Sequence, residues 1–194
     1  MSNSFSDSER AEIRENLINY GYEMLRQGGW KQLNIDILTE KCYIAKGSFY
    51  RFFSGKTDFL YHIMKRKREQ SKEKLMEFLS ADGTLSGEGL RNYLKWLCKE
   101  NPNVFAYMNE QETKKVLSQW PESYLENPDN DENTVNWLIS YLERPKENSN
   151  MLLFCNYLKL TAWALNGRHL LLKGAFDTLI DELISSACDC ISEK

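Results

Sequence analysis

The sequence of 194 residues has few helix-breaking residues, with only four prolines. Apolar residues recur at helical spacing almost throughout, which favours an all-α fold over a sandwich or barrel. No stretch reaches the roughly 18 apolar residues that a membrane-spanning helix needs. The polar segment 1–10 lacks the apolar core of a signal peptide. We therefore expect a cytoplasmic protein with no membrane partner.

Metal ligands and catalytic motifs are also scarce. The chain has two histidines, His62 and His169, and its five cysteines lack the spacing of zinc or redox pairs. Gly-x-Ser-x-Gly, His-Glu-x-x-His and a glycine-rich phosphate loop are all missing. The sequence therefore predicts neither a metal nor another cofactor, and it predicts no enzyme. Turnover of a substrate by the purified protein would overturn the last point.

Charge is distributed unevenly, although the net charge is only −3. Residues 1–75 carry 14 Lys and Arg against 10 Asp and Glu, whereas residues 76–194 carry 11 against 18. Within 41–68, eight basic residues accompany a single acid, Asp58. DNA binding requires a local basic surface rather than a basic chain. The first third of the chain is therefore a candidate for nucleic-acid binding.

Four helices are predicted in the first 79 residues, at about 7–27, 35–41, 45–51 and 55–79. Gly28-Gly29 ends the first of them, and Asn34 caps the second. Two short helices joined by a turn of three or four residues form a helix-turn-helix, whose second helix enters the major groove of DNA. The pattern therefore predicts that the third helix is a recognition helix.

Residues 13–60 resemble the DNA-binding domain of the TetR/AcrR family of transcriptional regulators. The resemblance is carried by a glycine-aromatic pair at the end of the entry helix, the second helix, the Lys-Gly-Ser-Phe-Tyr-Arg-Phe-Phe segment and the start of the fourth helix. In chain order these are Gly29-Trp30, 34–39, 46–53 and 54–60. The landmarks cover about a quarter of the chain.

Three positions depart from the family pattern. Tyr43 stands where the turn usually has glycine, Ala45 where serine usually caps the recognition helix, and Cys42 where alanine is common. A turn without glycine forms at some strain. The missing cap costs about 1 kcal/mol. We expect the fold to tolerate these changes, and they bear on the base contacts.

The resemblance assigns candidate DNA contacts to the recognition helix and to the start of the fourth helix. These candidates are Lys46, Gly47, Ser48, Tyr50, Arg51 and Lys56. The polar side chains offer donors to phosphates or bases, and Gly47 lets the helix approach the duplex closely. Phe49 and Phe53 are expected to anchor the helix in the domain core.

The predicted organisation is an N-terminal three-helix helix-turn-helix domain over 1–54, a connecting fourth helix over 55–79 and a C-terminal helical bundle over 80–194. The bundle ends in two apolar helices, predicted at about 148–172 and 175–191. By the resemblance, these helices form a homodimer as a four-helix bundle. The dimer would place two recognition helices one turn apart on a palindromic operator DNA.

The C-terminal part is rich in aromatic residues, which predicts an aromatic-lined pocket for an unknown small-molecule effector. The candidate pocket residues are Phe105, Met108, Trp120, Trp137, Phe154 and Tyr157. A plain hydrophobic core produces the same pattern, so the packing interpretation stays open for each of them.

The function implied by the resemblance is that of a ligand-responsive transcriptional repressor. Effector binding would move the fourth helix and change the spacing of the two recognition helices. The effect would be limited by the difference in effector affinity between the DNA-bound and free states. Two alternatives remain at this point. The protein could be an activator of the same family, or an all-helical interaction protein in which the helix-turn-helix is only a scaffold.

Overall fold

The computed structural model describes residues 5–125 and 128–193, and the described chain is helical, as the sequence predicts. Its helices are α1 (Asp7–Gln32), α2 (Ile35–Lys41), α3 (Lys46–Phe49), α4 (Lys56–Leu75), α5 (Gly87–Glu100), α6 (Glu110–Leu117), α7 (Pro128–Ile139), α8 (Met151–Asn166) and α9 (Phe176–Ile191). Short 3₁₀ turns follow α4, precede and follow α6, and connect α8 to α9.

The first helix does not end at Gly28-Gly29, as predicted, but continues to Gln32 after a break. Gly29 has φ +70° and ψ −169°, a conformation open to glycine and strained for other residues. The pair of glycines therefore redirects the helix rather than ending it. At the other end, the Ser6 hydroxyl oxygen accepts a hydrogen bond from the Glu9 amide, and the Glu9 carboxylate accepts one from the Ser6 amide. The two bonds form a capping box.

Other boundaries differ from the prediction for identifiable reasons. Helix α3 is shorter than predicted because the chain turns after Phe49. Helix α6 starts where Asn109 forms a capping box with Glu112. Helix α8 ends at Asn166, with Gly167 at the C-cap, rather than near residue 172.

The chain forms two compact units. The first consists of Met1–Lys67 and Tyr107–Leu125, and the second of Arg68–Ala106 and Glu126–Lys194. The boundary after Lys67 falls inside α4, and the 107–125 segment belongs to the first unit although it lies far along the chain. The division of the chain into a DNA-binding domain, a connecting helix and an effector-binding domain, which the sequence suggests, stays a prediction.

Each unit has its own apolar core. In the first unit the fully or almost fully buried side chains come from α1 to α4, from the connection between α3 and α4, and from α6, and they include Leu17, Ile18, Leu25, Leu38, Phe49, Phe53, Phe59, Ile63 and Val116. In the second unit α9 packs mainly against α8 and α5. Its buried residues include Leu90, Leu94, Phe154, Ile180, Ile184 and Ile191.

Within the described chain, no helix combines the length and apolarity needed to cross a bilayer. Among the same residues, no three His, Cys, Asp or Glu side chains come together to hold a metal ion. The five cysteines all lie in the described part of the chain, and none of them forms a disulfide.

We predict that Gly29→Ala destabilises the protein by more than about 2 kcal/mol, because the left-handed φ is strained for alanine. The new Cβ would also lie 2.9 Å from the Tyr107 carbonyl oxygen. Urea unfolding measures the effect. Gly47→Ala is the matched control, since a Cβ there meets no atom within 4 Å. Equal unfolding midpoints for the two variants would contradict this assignment.

Candidate nucleic-acid interface

The turn between α2 and α3 forms without glycine. Tyr43 adopts φ +55°, in the left-handed region, and its side chain is 96% exposed. Amides of the turn bond back to α2, with Cys42 N–H to Leu38 O at 3.1 Å and Ile44 N–H to Thr39 O at 3.0 Å. These bonds hold a strained residue in place, as expected for a non-glycine residue at this position.

Helix α3 has no side-chain cap, since Ala45 occupies the N-cap position. Its anchor is Phe49, which is fully buried. The Phe49 ring centroid lies 5.3 Å from those of Phe53 and Phe59, and the Phe53 and Phe59 centroids are 4.7 Å apart. Aromatic packing therefore fixes the short helix against α4, in agreement with the expected anchoring role of Phe49 and Phe53.

The outer face of α3 presents most of the predicted contact residues to solvent. Lys46, Gly47, Tyr50 and Arg51 are exposed, and Ser48 is partly buried. A Cβ built on Gly47 meets no atom within 4 Å, so the backbone is open to close approach. The structure thus brings five of the six predicted residues onto one short segment.

Lys46 is less available than its exposure indicates. Its Nζ lies 2.8 Å from Asp36 Oδ1 of α2, and the hydrogen bond to Asp36 raises the pKa of the lysine. Asp36 belongs to the preceding helix, and its pairing with Lys46 was not predicted. Part of the positive charge on this face is therefore already neutralised within the protein.

Lys56, the sixth predicted residue, ties α4 to the end of α1. Its Nζ donates to the Trp30 carbonyl oxygen at 2.7 Å and lies 4.1 Å from the centroid of the Trp30 ring. Burial lowers the pKa of this lysine below its ordinary value. Lys56 therefore has a structural role that was not predicted, and its role at a phosphate stays a prediction.

The basic run after it also turns partly inward. Arg66 Nε lies 2.9 Å from Glu15 Oε1, and Lys67 Nζ lies 3.9 Å from the centroid of the Tyr22 ring. Both contacts link α4 to α1, whereas Lys65 and Arg68 are exposed. Two of the four cations at positions 65–68 therefore hold the first unit together.

The 107–125 segment contributes side-chain contacts to the first unit that were not predicted from the sequence. Trp120 donates its indole N–H to the Thr57 carbonyl oxygen at 2.8 Å. The Tyr124 hydroxyl donates to Asp58 Oδ1 at 2.8 Å. Separations of more than 60 residues give no local sequence signal, so only the folded chain reveals these partners.

Asp58 lies at the centre of a chain of polar contacts. Its Oδ2 accepts the Ser54 amide at 2.7 Å, and its Oδ1 lies 3.5 Å from His62 Nε2. On the opposite side of the imidazole, Arg14 Nη2 donates to His62 Nδ1 at 2.9 Å. An Nδ1 that accepts a bond carries no proton, so the geometry fits a neutral His62 with its proton on Nε2.

The predicted effector residues have packing roles and are divided between the two units. Met108 and Trp120 belong to the first unit, and both are 7% exposed. The other four belong to the second unit, where Phe154 is a core residue and Phe105, Trp137 and Tyr157 are partly buried. Their role in binding an effector stays a prediction.

A cavity of about 570 Å³ lies in the second unit, and none of the predicted effector residues lines it. The residues around it include Glu88 and Arg91 of α5, Arg144, and Ser185 and Asp189 of α9. The aromatic residues predicted from the sequence therefore do not line this cavity. It lies near the start of α5 and the end of α9.

We predict that the first unit loses stability as the pH falls below about 6.5, the ordinary pKa of histidine. Burial is the main cause that lowers the pKa of folded His62; Arg14 and Lys65 add to it, and Asp58 opposes it. The unfolded chain therefore binds a proton at a higher pH than the folded chain, and stability falls from that pH down through the folded pKa.

Urea midpoints at pH 7.5, 6.5 and 5.5 measure this loss. His62→Gln removes the titrating ring and should lose less stability over the same range. Equal losses in the wild type and the variant would assign the pH dependence to other groups.

Comparison with known proteins identifies the fold but not a close relative. No protein-family model and no curated protein sequence matches the chain. Among solved structures, the reduced form of NemR from E. coli matches with a TM-score of 0.59 and 15% identity, over 94% of this chain and 98% of that one. A TetR family transcription regulator from Marinobacter aquaeolei VT8 matches with a TM-score of 0.55 and 16% identity, over 97% of this chain and 100% of that one.

A third match is a TetR-family transcriptional regulator from Haemophilus influenzae, with a TM-score of 0.54 and 17% identity, over 95% of this chain and 98% of that one. Each likeness extends over nearly the whole of both chains. Together with the helix-turn-helix at α2 and α3, it shows that the chain has the fold of the TetR-family transcription regulators.

Proposed function

We propose that the protein is a DNA-binding transcription regulator that reads an operator with α3. The observation that carries this proposal is the construction of α3, which is anchored inside by Phe49 and open outside at Gly47. Tyr50 and Arg51 extend that open surface with a hydroxyl and a guanidinium. Such a segment fits the major groove, where donors meet base edges and phosphates.

We propose further that the regulator acts as a homodimer through α8 and α9. In the single chain, large apolar side chains of these helices and their connection face solvent. The most exposed are Leu152 at 81%, Trp163 at 66%, Leu170 at 73% and Leu172 at 87%. Exposure of several large apolar side chains on neighbouring elements is typical of a protein interface. A two-fold dimer would pair with a palindromic operator.

The finer regulatory role is also a proposal. We infer a cytoplasmic repressor that a small-molecule effector releases from DNA, with Phe105, Met108, Trp120, Trp137, Phe154 and Tyr157 as candidate effector contacts. The fold and the aromatic content of these segments support this inference. An effector would act only through a difference in its affinity for the DNA-bound and free states.

A second candidate function is that of an interaction protein that keeps the helix-turn-helix as a scaffold. The observation in its favour is that Lys46 and Lys56, the two lysines at the proposed interface, already have partners in Asp36 and Trp30. A protein of this kind would bind DNA weakly or not at all, so affinity for DNA distinguishes the two candidates.

We predict that the protein binds a duplex from upstream of its own gene, and that affinity falls at least about tenfold between 50 and 200 mM salt. Arg51→Ala should weaken binding by about tenfold, as for the loss of one guanidinium contact. Gly47→Ala should weaken binding while leaving stability unchanged or higher, because the added methyl lies on the face toward DNA. Fluorescence anisotropy with a labelled duplex measures the affinity of the wild type and of both variants.

Lys99→Ala is the control for Arg51→Ala, since Lys99 is an exposed cation of α5 in the second unit. It should bind DNA as the wild type does. Failure of the wild type to bind any upstream duplex would favour the scaffold alternative. Normal binding by both Arg51→Ala and Gly47→Ala would place the interface elsewhere.

We predict that Trp163→Glu converts the dimer to a monomer, because it places a charge within an apolar contact. Light scattering after size-exclusion chromatography measures the mass. Met76→Glu is the matched control, since Met76 is 45% exposed and lies outside α8 and α9. A monomeric wild type, or a dimeric Trp163→Glu, would exclude this interface.

A further inference from the structure

The 107–125 segment is joined to the rest of the first unit at three places. At its start, Tyr107 meets α1, where its hydroxyl is 3.5 Å from the Tyr22 hydroxyl and the two ring centroids are 6.0 Å apart. Its carbonyl oxygen also closes the space beside Gly29. The segment therefore begins against the break in α1.

The second attachment is Trp120, which is buried against the first turns of α4. Its indole N–H donates to the Thr57 carbonyl oxygen at 2.8 Å, and its ring meets the edge of Tyr61 at 5.8 Å. A directional bond to a backbone atom fixes the position of the helix itself, rather than of a side chain that could change rotamer.

The third attachment is Tyr124. Its ring stacks on Tyr61 with centroids 3.8 Å apart and planes inclined by 5°. Its hydroxyl donates to Asp58 Oδ1 at 2.8 Å, while the Asp58 Oδ2 accepts the Ser54 amide at 2.7 Å. One carboxylate thus links the segment to the connection between α3 and α4.

These attachments act on the part of the chain that sets the direction of α3. Thr57, Asp58 and Tyr61 lie in the first turns of α4, and six residues separate the end of α3 from its start. Phe59, in the same turns, packs on Phe49 of α3 with ring centroids 5.3 Å apart. A change in how α4 begins would therefore be transmitted to the recognition helix by a packed aromatic pair.

We propose that Trp120 and Tyr124 are positioning residues for DNA binding, which hold the start of α4, and with it α3, in the orientation that reads the operator. This inference rests on the proposed function.

The test is the affinity of Tyr124→Phe for the operator duplex. This variant keeps the stacked ring and removes only the hydroxyl that Asp58 accepts. We expect affinity to fall about threefold to tenfold, the change that corresponds to the usual net contribution of one hydrogen bond. Tyr141→Phe is the matched control, since it removes a phenol hydroxyl from the second unit, and it should bind as the wild type does.

A double-mutant cycle shows whether Tyr124 acts through Asp58. If it does, Tyr124→Phe should cost little additional affinity in a protein that already carries Asp58→Ala. Circular dichroism and urea unfolding establish that each variant is fully folded at the temperature of the binding assay. A mere loss of stability then leaves the measured affinity unchanged, so a change in affinity reports positioning.

The outcomes separate the two proposals. A wild type that binds no upstream duplex overturns the proposed function. A wild type that binds, together with a Tyr124→Phe variant of equal affinity, overturns only the positioning role. Additive losses in the cycle would show that Tyr124 does not act through Asp58 and would also overturn it.

Discussion

The first unit depends on the burial of three phenylalanine rings. Phe49, Phe53 and Phe59 come from α3, from the connection after it and from α4, and they are fully or almost fully buried. Helix α3 has only four residues and no side-chain cap, so it has little stability of its own. Burial of each ring contributes roughly 1.5–3 kcal/mol. Tertiary packing, rather than capping or helix length, therefore forms the recognition helix.

Several basic side chains of the same unit contribute to its packing rather than to its outer surface. Lys56, Arg66 and Lys67 stabilise the contact of α4 with α1 through a carbonyl oxygen, a carboxylate and a ring face. The positive charge density that first indicated DNA binding is thus partly structural. What remains on the outer surface of α3 is a smaller set, centred on Arg51 and the open backbone at Gly47.

Local signals in the sequence predicted the elements that local physics controls. Asn34 predicted the start of α2 because its side chain accepts amides of the first turn, and the apolar stripe of α9 predicted that helix to within a residue. The kink at Gly29 was missed because its conformation depends on a chain that passes close by at Tyr107. The pairs Trp120–Thr57 and Tyr124–Asp58 were missed for the same reason, since no periodicity connects residues so far apart.

The ion pair between Lys46 and Asp36 affects the thermodynamics of any encounter with a duplex. A phosphate that engages Lys46 displaces one condensed cation from DNA. Asp36, left without its partner, attracts a cation from solution in return. A contact between Lys46 and a phosphate would therefore add less affinity, and less ionic-strength dependence, than the same contact by a lysine without a partner. The salt dependence of DNA binding would therefore indicate fewer phosphate contacts than the protein makes.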